Sequence, residues 1–162
     1  MEALNVKANQ ITGGGKHSVI VSSDCAVYVS GDNDKSQLGC DSSVKKLLFF
    51  KKLICDVKIV KVSCGWDFNL ALNDQGEVLG WGSNSFGQLG LPREKKVINS
   101  PVKVNNITAI DISCGLRHSG IVSSDGFIYT TGAGKKGQLG IGIHGRGPIK
   151  VEEFQQGKFQ FF

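Results

Sequence analysis

The stretch GWDFNLALNDQGEVLGWGSNSFGQLG, at residues 65–90, decides the fold because a version of it occurs three times. The first version, GGKHSVIVSSDCAVYVSGDNDKSQLG, occupies residues 14–39, and the third, GLRHSGIVSSDGFIYTTGAGKKGQLG, occupies residues 115–140. All three copies have 26 residues, align without a gap, and begin 51 and 50 residues apart. Repetition at this period is typical of stacked supersecondary units or of a propeller.

The pattern inside each copy predicts β-strands. Phe68, Leu70 and Leu72 alternate with other residues at a period of two, which is the strand period. A turn ending in glycine and a second apolar run follow, which predicts a hairpin. We therefore expect strands near 17–21, 68–72 and 118–122, each paired antiparallel with a strand that begins near 27, 78 or 128. Further apolar runs before and after each copy bring the content to about four short strands per repeat, with little helix.

The glycine-rich elements of the copies resemble the regulator of chromosome condensation repeat. The matching elements are Cys64-Gly65 and Cys114-Gly115 ahead of a strand, Gly82-Ser83-Asn84 after it, and Gly-Gln-Leu-Gly at 87–90 and 137–140. Period alone would also fit kelch repeats, but those lack the Gly-Gln-Leu-Gly element. The resemblance extends over about residues 11–151.

The resemblance implies an all-β fold of propeller blades, each with four antiparallel strands. The family's propeller has seven blades, and this sequence has material for about three of them. Residues 1–162 would then form a single partial propeller, with repeats at approximately 1–56, 57–106 and 107–162.

Nine repeat positions are predicted to be structural: the glycines that open and close each copy, and the residue three positions after the opening glycine. They are Gly14, Gly65, Gly115, His17, Phe68, His118, Gly39, Gly90 and Gly140. Because the second copy has phenylalanine where the others have histidine, we predict a packing role for this position instead of catalysis. Cys25 and Ser36 of the first copy replace glycines, and Gly134 of the third replaces the usual asparagine.

The loop after the first glycine of each copy is the most variable point inside it. In a propeller the strands form a scaffold and the loops are free to bind. We therefore predict a partner-binding surface made of Lys16, Trp66, Asp67, Leu116 and Arg117. A tryptophan beside charged residues is typical of an interface hot spot.

The family resemblance adds an expected partner for this surface. Loops on this face of the family's propeller meet a small GTPase, and in the founding member an acidic residue directly after the glycine assists nucleotide exchange. Here that position holds Gly15, Trp66 and Leu116, and Asp67 is one residue further on. This departure argues against exchange activity.

Composition excludes several function classes. The formal charge of +5 and the pI of about 9.0 are mildly basic and fall short of a nucleic-acid footprint, so nucleic acid is not the expected partner. No apolar run approaches the roughly 20 residues of a membrane span, and the first residues contain no apolar signal region. Five scattered cysteines without a ligand spacing predict reduced thiols, no metal and no cofactor, and a location in the cytoplasm or nucleus.

Three function classes remain open. One is a guanine nucleotide exchange factor or GTPase-binding propeller, with a role in secretion; the others are a non-catalytic scaffold and a chromatin-binding module. No covalent chemistry and no small-molecule substrate are expected from any of them.

Two segments carry separate expectations. Residues 45–54, KKLLFFKKLI, are predicted to be a strand between repeats with solvated lysines, the alternatives being an import signal or contact with an acidic membrane. Four aromatic residues near the end of the sequence, Phe154, Phe159, Phe161 and Phe162, are expected to lie uncovered and to favour self-association.

Overall fold

The computed structural model describes residues 6–92, 94–142 and 150–158. Within these ranges the chain forms β-strands only, so no helix there could cross a membrane. The strands are β1 (Ala8–Gly13), β2 (His17–Ser22), β3 (Val27–Asp32), β4 (Lys46–Leu53), β5 (Ile59–Cys64), β6 (Phe68–Asn73), β7 (Val78–Ser83), β8 (Val97–Lys103), β9 (Ala109–Cys114), β10 (His118–Ser123), β11 (Ile128–Ala133) and β12 (Lys150–Gln156).

The strands form three antiparallel sheets of four, in the orders β1-β2-β3-β4, β5-β6-β7-β8 and β9-β10-β11-β12. We call them blades 1, 2 and 3. The predicted hairpins are confirmed, with His17 opposite Gly31, Phe68 opposite Gly82 and His118 opposite Gly132. The first two strands of each blade pack against the strands of the neighbouring blade, so β1, β5 and β9 lie side by side on the inside of the arc. The all-β propeller prediction is therefore confirmed.

The core lies between the blades. On the side of blade 2 that faces blade 1, three buried residues lie opposite one another across β5, β6 and β7. They are Val62, Ala71 and Leu79, which are 1%, 0% and 8% exposed. On the facing side of blade 1, Val19 and Val29 are equally buried. Full burial of one such side chain contributes roughly 1.5–3 kcal/mol, so each boundary between blades is a substantial part of the stability.

The loops that contain Gln-Leu-Gly, at residues 36–39 of blade 1 and 87–90 of blade 2, connect each of these blades to the next. The carbonyl oxygen of Gln37 accepts hydrogen bonds from Asn69 Nδ2, at 2.8 Å, and from the buried Trp81 Nε1, at 3.0 Å. At the next boundary the carbonyl of Gln88 accepts from Ser119 Oγ, and that of Gly87 accepts from Thr131 Oγ1 at 2.8 Å. The loop that carries the most recognisable sequence of the repeat therefore holds neighbouring blades together by hydrogen bonds.

The two segments with separate expectations have different outcomes. Residues 46–53 form β4, the outer strand of blade 1, and Lys46, Lys51 and Lys52 are exposed, so the strand prediction is confirmed. The expectation for Phe154 is wrong. Its ring is half-buried against the core because it lies on Gly90 of blade 2, where an added Cβ would be 2.5 Å from the ring. Phe159, Phe161 and Phe162 lie outside the described residues.

Candidate protein-interaction face

Three equivalent loops, at residues 14–16, 65–67 and 115–117, connect the first and second strands of the blades. Each loop is closed by a backbone hydrogen bond from its first glycine: Gly14 to His17, Gly65 to Phe68 and Gly115 to His118, at 2.8–2.9 Å. The carbonyl of the third loop residue is held by the third strand of the same blade. It accepts from Asp32, Ser83 and Ala133 in the three blades. Both ends of every loop are therefore fixed by the scaffold.

The opening glycines are required by a close approach. The rings of His17, Phe68 and His118 fold back so tightly that a Cβ on the preceding Gly14, Gly65 or Gly115 would overlap them. His17 and Phe68 are buried and His118 is half-buried. His17 Nε2 also lies 2.7 Å from Oδ1 of Asn69 in blade 2, which links the two blades. The ring three residues after each opening glycine therefore packs against that glycine and holds the loop in place.

The loops are hydrogen-bonded to one another across the blades. Gly15 N donates to the Trp66 carbonyl at 2.9 Å, and Trp66 N donates to the Leu116 carbonyl at 3.4 Å. The Trp66 ring lies over Gly15, where a Cβ would be 2.6 Å from Cδ2 of the indole. The loop glycines, together with Cys64 and Cys114, line an open depression of about 290 Å³ between the loops. The three loops therefore form one continuous surface.

The variable side chains project from this surface. Trp66 is 49% exposed and Leu116 is 58% exposed, and Lys16 and Arg117 are exposed as well. Asp67 is half-buried. We call these five residues, Lys16, Trp66, Asp67, Leu116 and Arg117, the loop face. Exposed large apolar side chains flanked by charges on a fixed backbone are well suited to bind another protein.

The sequence analysis did not identify Phe86 as a residue that contacts the loop face. The Arg117 guanidinium lies over the Phe86 ring, with Cζ 4.4 Å from the ring centre. Phe86 belongs to the Gly-Gln-Leu-Gly loop region of blade 2, whereas Arg117 belongs to blade 3. Such a cation–π contact orients the arginine. The signal in the sequence is weak, because this position is Lys35 in the first copy and Lys136 in the third.

Electrostatics at the base of the loops argue against acid–base or thiol chemistry there. Burial lowers the pKa of His17, opposed in part by the hydrogen bond to Asn69 and the charge of Asp67, so this histidine is neutral at physiological pH. Burial raises the pKa of both Cys64 and Cys114 to about 12. Thiols with such values hold almost no thiolate and are inert packing groups.

Comparison with known proteins identifies the repeat. Models of the "Regulator of chromosome condensation (RCC1) repeat" match residues 25–72 and 75–122, and a second model of the same repeat matches 59–88. The chain belongs to the regulator of chromosome condensation repeat family. The secretion-regulating guanine nucleotide exchange factor of Bos taurus is 38% identical over 128 residues, which are 77% of this chain and 28% of that protein. The human regulator of chromosome condensation is 36% identical over 135 residues, 81% of this chain and 32% of that protein.

The fold of this family member agrees with a solved structure. Yeast RCC1 (Prp20), in its complex with Kap60, superposes with a TM-score of 0.82 at 21% identity, over 94% of this chain and 37% of that one. The chain therefore spans between 28% and 37% of the length of these three proteins. The likeness covers the blade architecture and the order of the strands.

Proposed function

We propose that this chain is part of a protein-interaction propeller and that the loop face binds a small GTPase. The carrying observation is that Trp66 and Leu116 stand exposed on loops whose backbones are hydrogen-bonded to each other. The relationship to a guanine nucleotide exchange factor supports the class of partner. We place the protein in the cytoplasm or nucleus, with a role in secretion, and we expect no covalent chemistry.

Nucleotide exchange by this chain alone is expected to be slow. The residue after the opening glycine is Gly15, Trp66 or Leu116, so none of the three loops places a carboxylate there. The single acid of the loop face, Asp67, is half-buried beside His17 instead of projecting outward. We therefore expect binding of the GTPase to be measurable while nucleotide release is little changed.

The test immobilises the full chain and measures binding of a panel of small GTPases, each nucleotide-free and loaded with GDP. Trp66→Ala and Leu116→Ala should weaken binding by about tenfold or more, as truncation of a hot-spot residue does. Phe127→Ala is the matched control. Phe127 is 47% exposed, close to Trp66, but lies in the turn between β10 and β11 at the other end of the blade.

The outcomes separate the candidate functions. Equal loss in Trp66→Ala and Phe127→Ala would place the binding surface elsewhere. Binding without faster release of a fluorescent nucleotide supports the proposal, whereas fast release that is lost on Asp67→Ala would assign exchange activity to this chain. If the whole panel fails to bind in either state, the partner belongs to another class, as for a scaffold.

A further inference from the structure

The outward side of blade 1 carries the residues of a blade boundary, but no blade covers it within the part of the chain that the structure describes. Three apolar residues that lie opposite one another across β1, β2 and β3 hold the positions that Val62, Ala71 and Leu79 hold in blade 2. They are Ile11, Ile20 and Tyr28. Ile11 is 68% exposed, and the other two are half-buried. We call this side of blade 1 the head face.

Blade 3 has an open side as well, which we call the tail face. The same side of blade 1 faces blade 2, and its four valines are at most 2% exposed; they are Val19, Val21, Val27 and Val29. Blade 3 has Gly120, Val122, Ile128 and Thr130 at these positions, with Ile128 36% exposed and the others half-buried. An apolar depression of about 150 Å³ lies around Gly120. The tail face therefore has space for side chains as large as Ile20 and Tyr28.

The hydrogen bonds that join a loop to the next blade have donors and acceptors on these two faces. Ser18 and Ser30 of the head face are equivalent to Ser119 and Thr131 of blade 3, whose hydroxyls donate to the loop of blade 2. Neither of the two serine hydroxyls has a partner among the described residues. In the loop of blade 3, the carbonyl of Gln138 receives no hydrogen bond from any described group. The head face therefore offers the donors, and the tail side offers the acceptor.

An aromatic ring and a glycine form another complementary pair. At both internal boundaries, the glycine that closes a copy lies against an aromatic ring of the next blade. These pairs are Gly39 with Trp81 and Gly90 with Phe154. The strand registers place Phe50 of blade 1 at the position of Phe154, because residues 48–50 and 152–154 form the same bulge. Phe50 is only half-buried, and nothing lies within 4 Å of a Cβ added to Gly140, the closing glycine of blade 3.

We propose that the chain associates with itself head to tail, with the head face of one copy packed on the tail face of a second copy. In this arrangement Ile11 is buried, Phe50 covers Gly140 of the second copy, and Ser18 or Ser30 donates to its Gln138 carbonyl. A second copy is favoured over an unrelated protein because the two faces repeat the contacts by which the blades of this chain meet each other. A contact between two different faces is heterologous.

This association also extends the loop face. Within one chain, the second residue of each loop donates from its N–H to the carbonyl of the second residue of the next loop, from Gly15 to Trp66 and from Trp66 to Leu116. The N–H of Leu116 has no acceptor among the described residues. Across the contact, its counterpart is the Gly15 carbonyl of the other copy. The loops of both copies then form one surface.

The experiment measures the mass of the full chain by sedimentation equilibrium over a wide range of concentrations. Ile11→Asp alters the head face and Ile128→Asp alters the tail face. Ile110→Asp is the matched control, because Ile110 is 62% exposed on the first strand of its blade. Its equivalent, Val60, is 45% exposed although blade 2 has a neighbour on each side, so this position lies outside the blade boundaries. Circular dichroism shows whether each variant is folded.

The mass of the unaltered chain should rise above the 17.4 kDa of the monomer as its concentration increases. Ile11→Asp and Ile128→Asp should each weaken association by about tenfold or more, since each places an unpaired carboxylate in the contact, and Ile110→Asp should leave it unchanged. Ser18→Ala with Ser30→Ala should weaken it by about twofold to tenfold, as loss of a hydrogen bond does.

An equimolar mixture of the two weakened variants gives the sharpest test. The Ile128→Asp chain keeps an intact head face and the Ile11→Asp chain keeps an intact tail face, so the mixture should associate although neither variant does so alone. Its mass should stop at twice 17.4 kDa, because the two faces left over are the substituted ones.

Two kinds of result contradict the proposal. If the folded, unaltered chain remains a monomer at every concentration, the two faces belong to a different partner. If only one of Ile11→Asp and Ile128→Asp weakens association, or if the mixture of folded variants fails to recover it, the copies do not meet head to tail.

Discussion

Cys25 adopts a backbone conformation that glycine adopts in the other two blades. Its φ is +63°, and the equivalent Gly76 and Gly126 have φ of +77° and +87°. All three close the same turn, in which their N–H donates to the carbonyl three residues earlier, at 2.9–3.1 Å. A residue with a Cβ is strained in this region, so Cys25→Gly should stabilise the chain.

The size of the gain follows from two opposing effects. The left-handed conformation costs an L-residue about 1–2 kcal/mol. Glycine gives back about 0.4–1 kcal/mol of this because it gains more conformational freedom in the unfolded chain. The free energy of unfolding should therefore rise by about 0.5–1 kcal/mol, and the melting temperature by about 1–4 °C for a chain of this size.

The assay is reversible unfolding in urea, followed by circular dichroism at two protein concentrations. Cys25→Ala separates loss of the thiol from the backbone effect and should leave stability nearly unchanged. Gly126→Ala is the reciprocal variant. Nothing lies within 4 Å of the added Cβ, so only the left-handed backbone conformation opposes the substitution, and the free energy of unfolding should fall by about 0.5–1 kcal/mol. If Cys25→Gly is no more stable than Cys25→Ala, the strain argument is refuted.

The remaining predictions concern thiols, pH and self-association. At pH 8, Cys64 and Cys114 should react with iodoacetamide at least a hundredfold more slowly than Cys25, because burial raises their pKa to about 12; equal rates, followed by mass spectrometry, would contradict this. Burial lowers the pKa of His17, so below about pH 6.5 the unfolded chain binds more protons than the folded chain. The free energy of unfolding should therefore fall from pH 7 to pH 5, and it should fall less in His17→Phe. An identical fall in the variant would show that His17 is not the source of the pH dependence. Ile11 is 68% exposed, whereas the residues at the same repeat position in blades 2 and 3, Val62 and Ile112, are 1% and 4% exposed. Ile11→Asp should therefore reduce concentration-dependent association in sedimentation with little loss of stability. Val62→Asp, in contrast, should lower the free energy of unfolding by at least about 3 kcal/mol.

Features set by the repeat could be predicted from the sequence. The strand positions follow from the alternation of residues such as Phe68, Leu70 and Leu72, and the turn at Gly76 follows from its local chemistry. These are local patterns, and three aligned copies make each of them visible three times. The loops that carry Trp66 and Leu116 could be located in the same way, because they are where the copies differ most.

Contacts between different copies could not be predicted in this way. The stacking of Arg117 on Phe86 depends on how far blade 3 is rotated relative to blade 2. The same holds for Gln10, whose amide bonds both the N–H and the carbonyl of Val62 at 2.9 Å. The position of Phe154 was wrongly predicted because its cover, Gly90, lies in another repeat. Alignment of copies shows which residues are equivalent but not which of them touch.

In the loop face, the residues that hold the loop backbone in place are different from the exposed residues that can be substituted. The links between loops are backbone to backbone, from Gly15 N to the Trp66 carbonyl and from Trp66 N to the Leu116 carbonyl, so they use no atom of the Trp66 or Leu116 side chain. The opening glycine and the ring three residues later hold the loop from below and tolerate no Cβ at the glycine. The side chains after that glycine bear no part of this support and differ in all three copies. A surface built in this way can change its partner by substitution at Trp66 or Leu116 without loss of the fold, which is why we place specificity there.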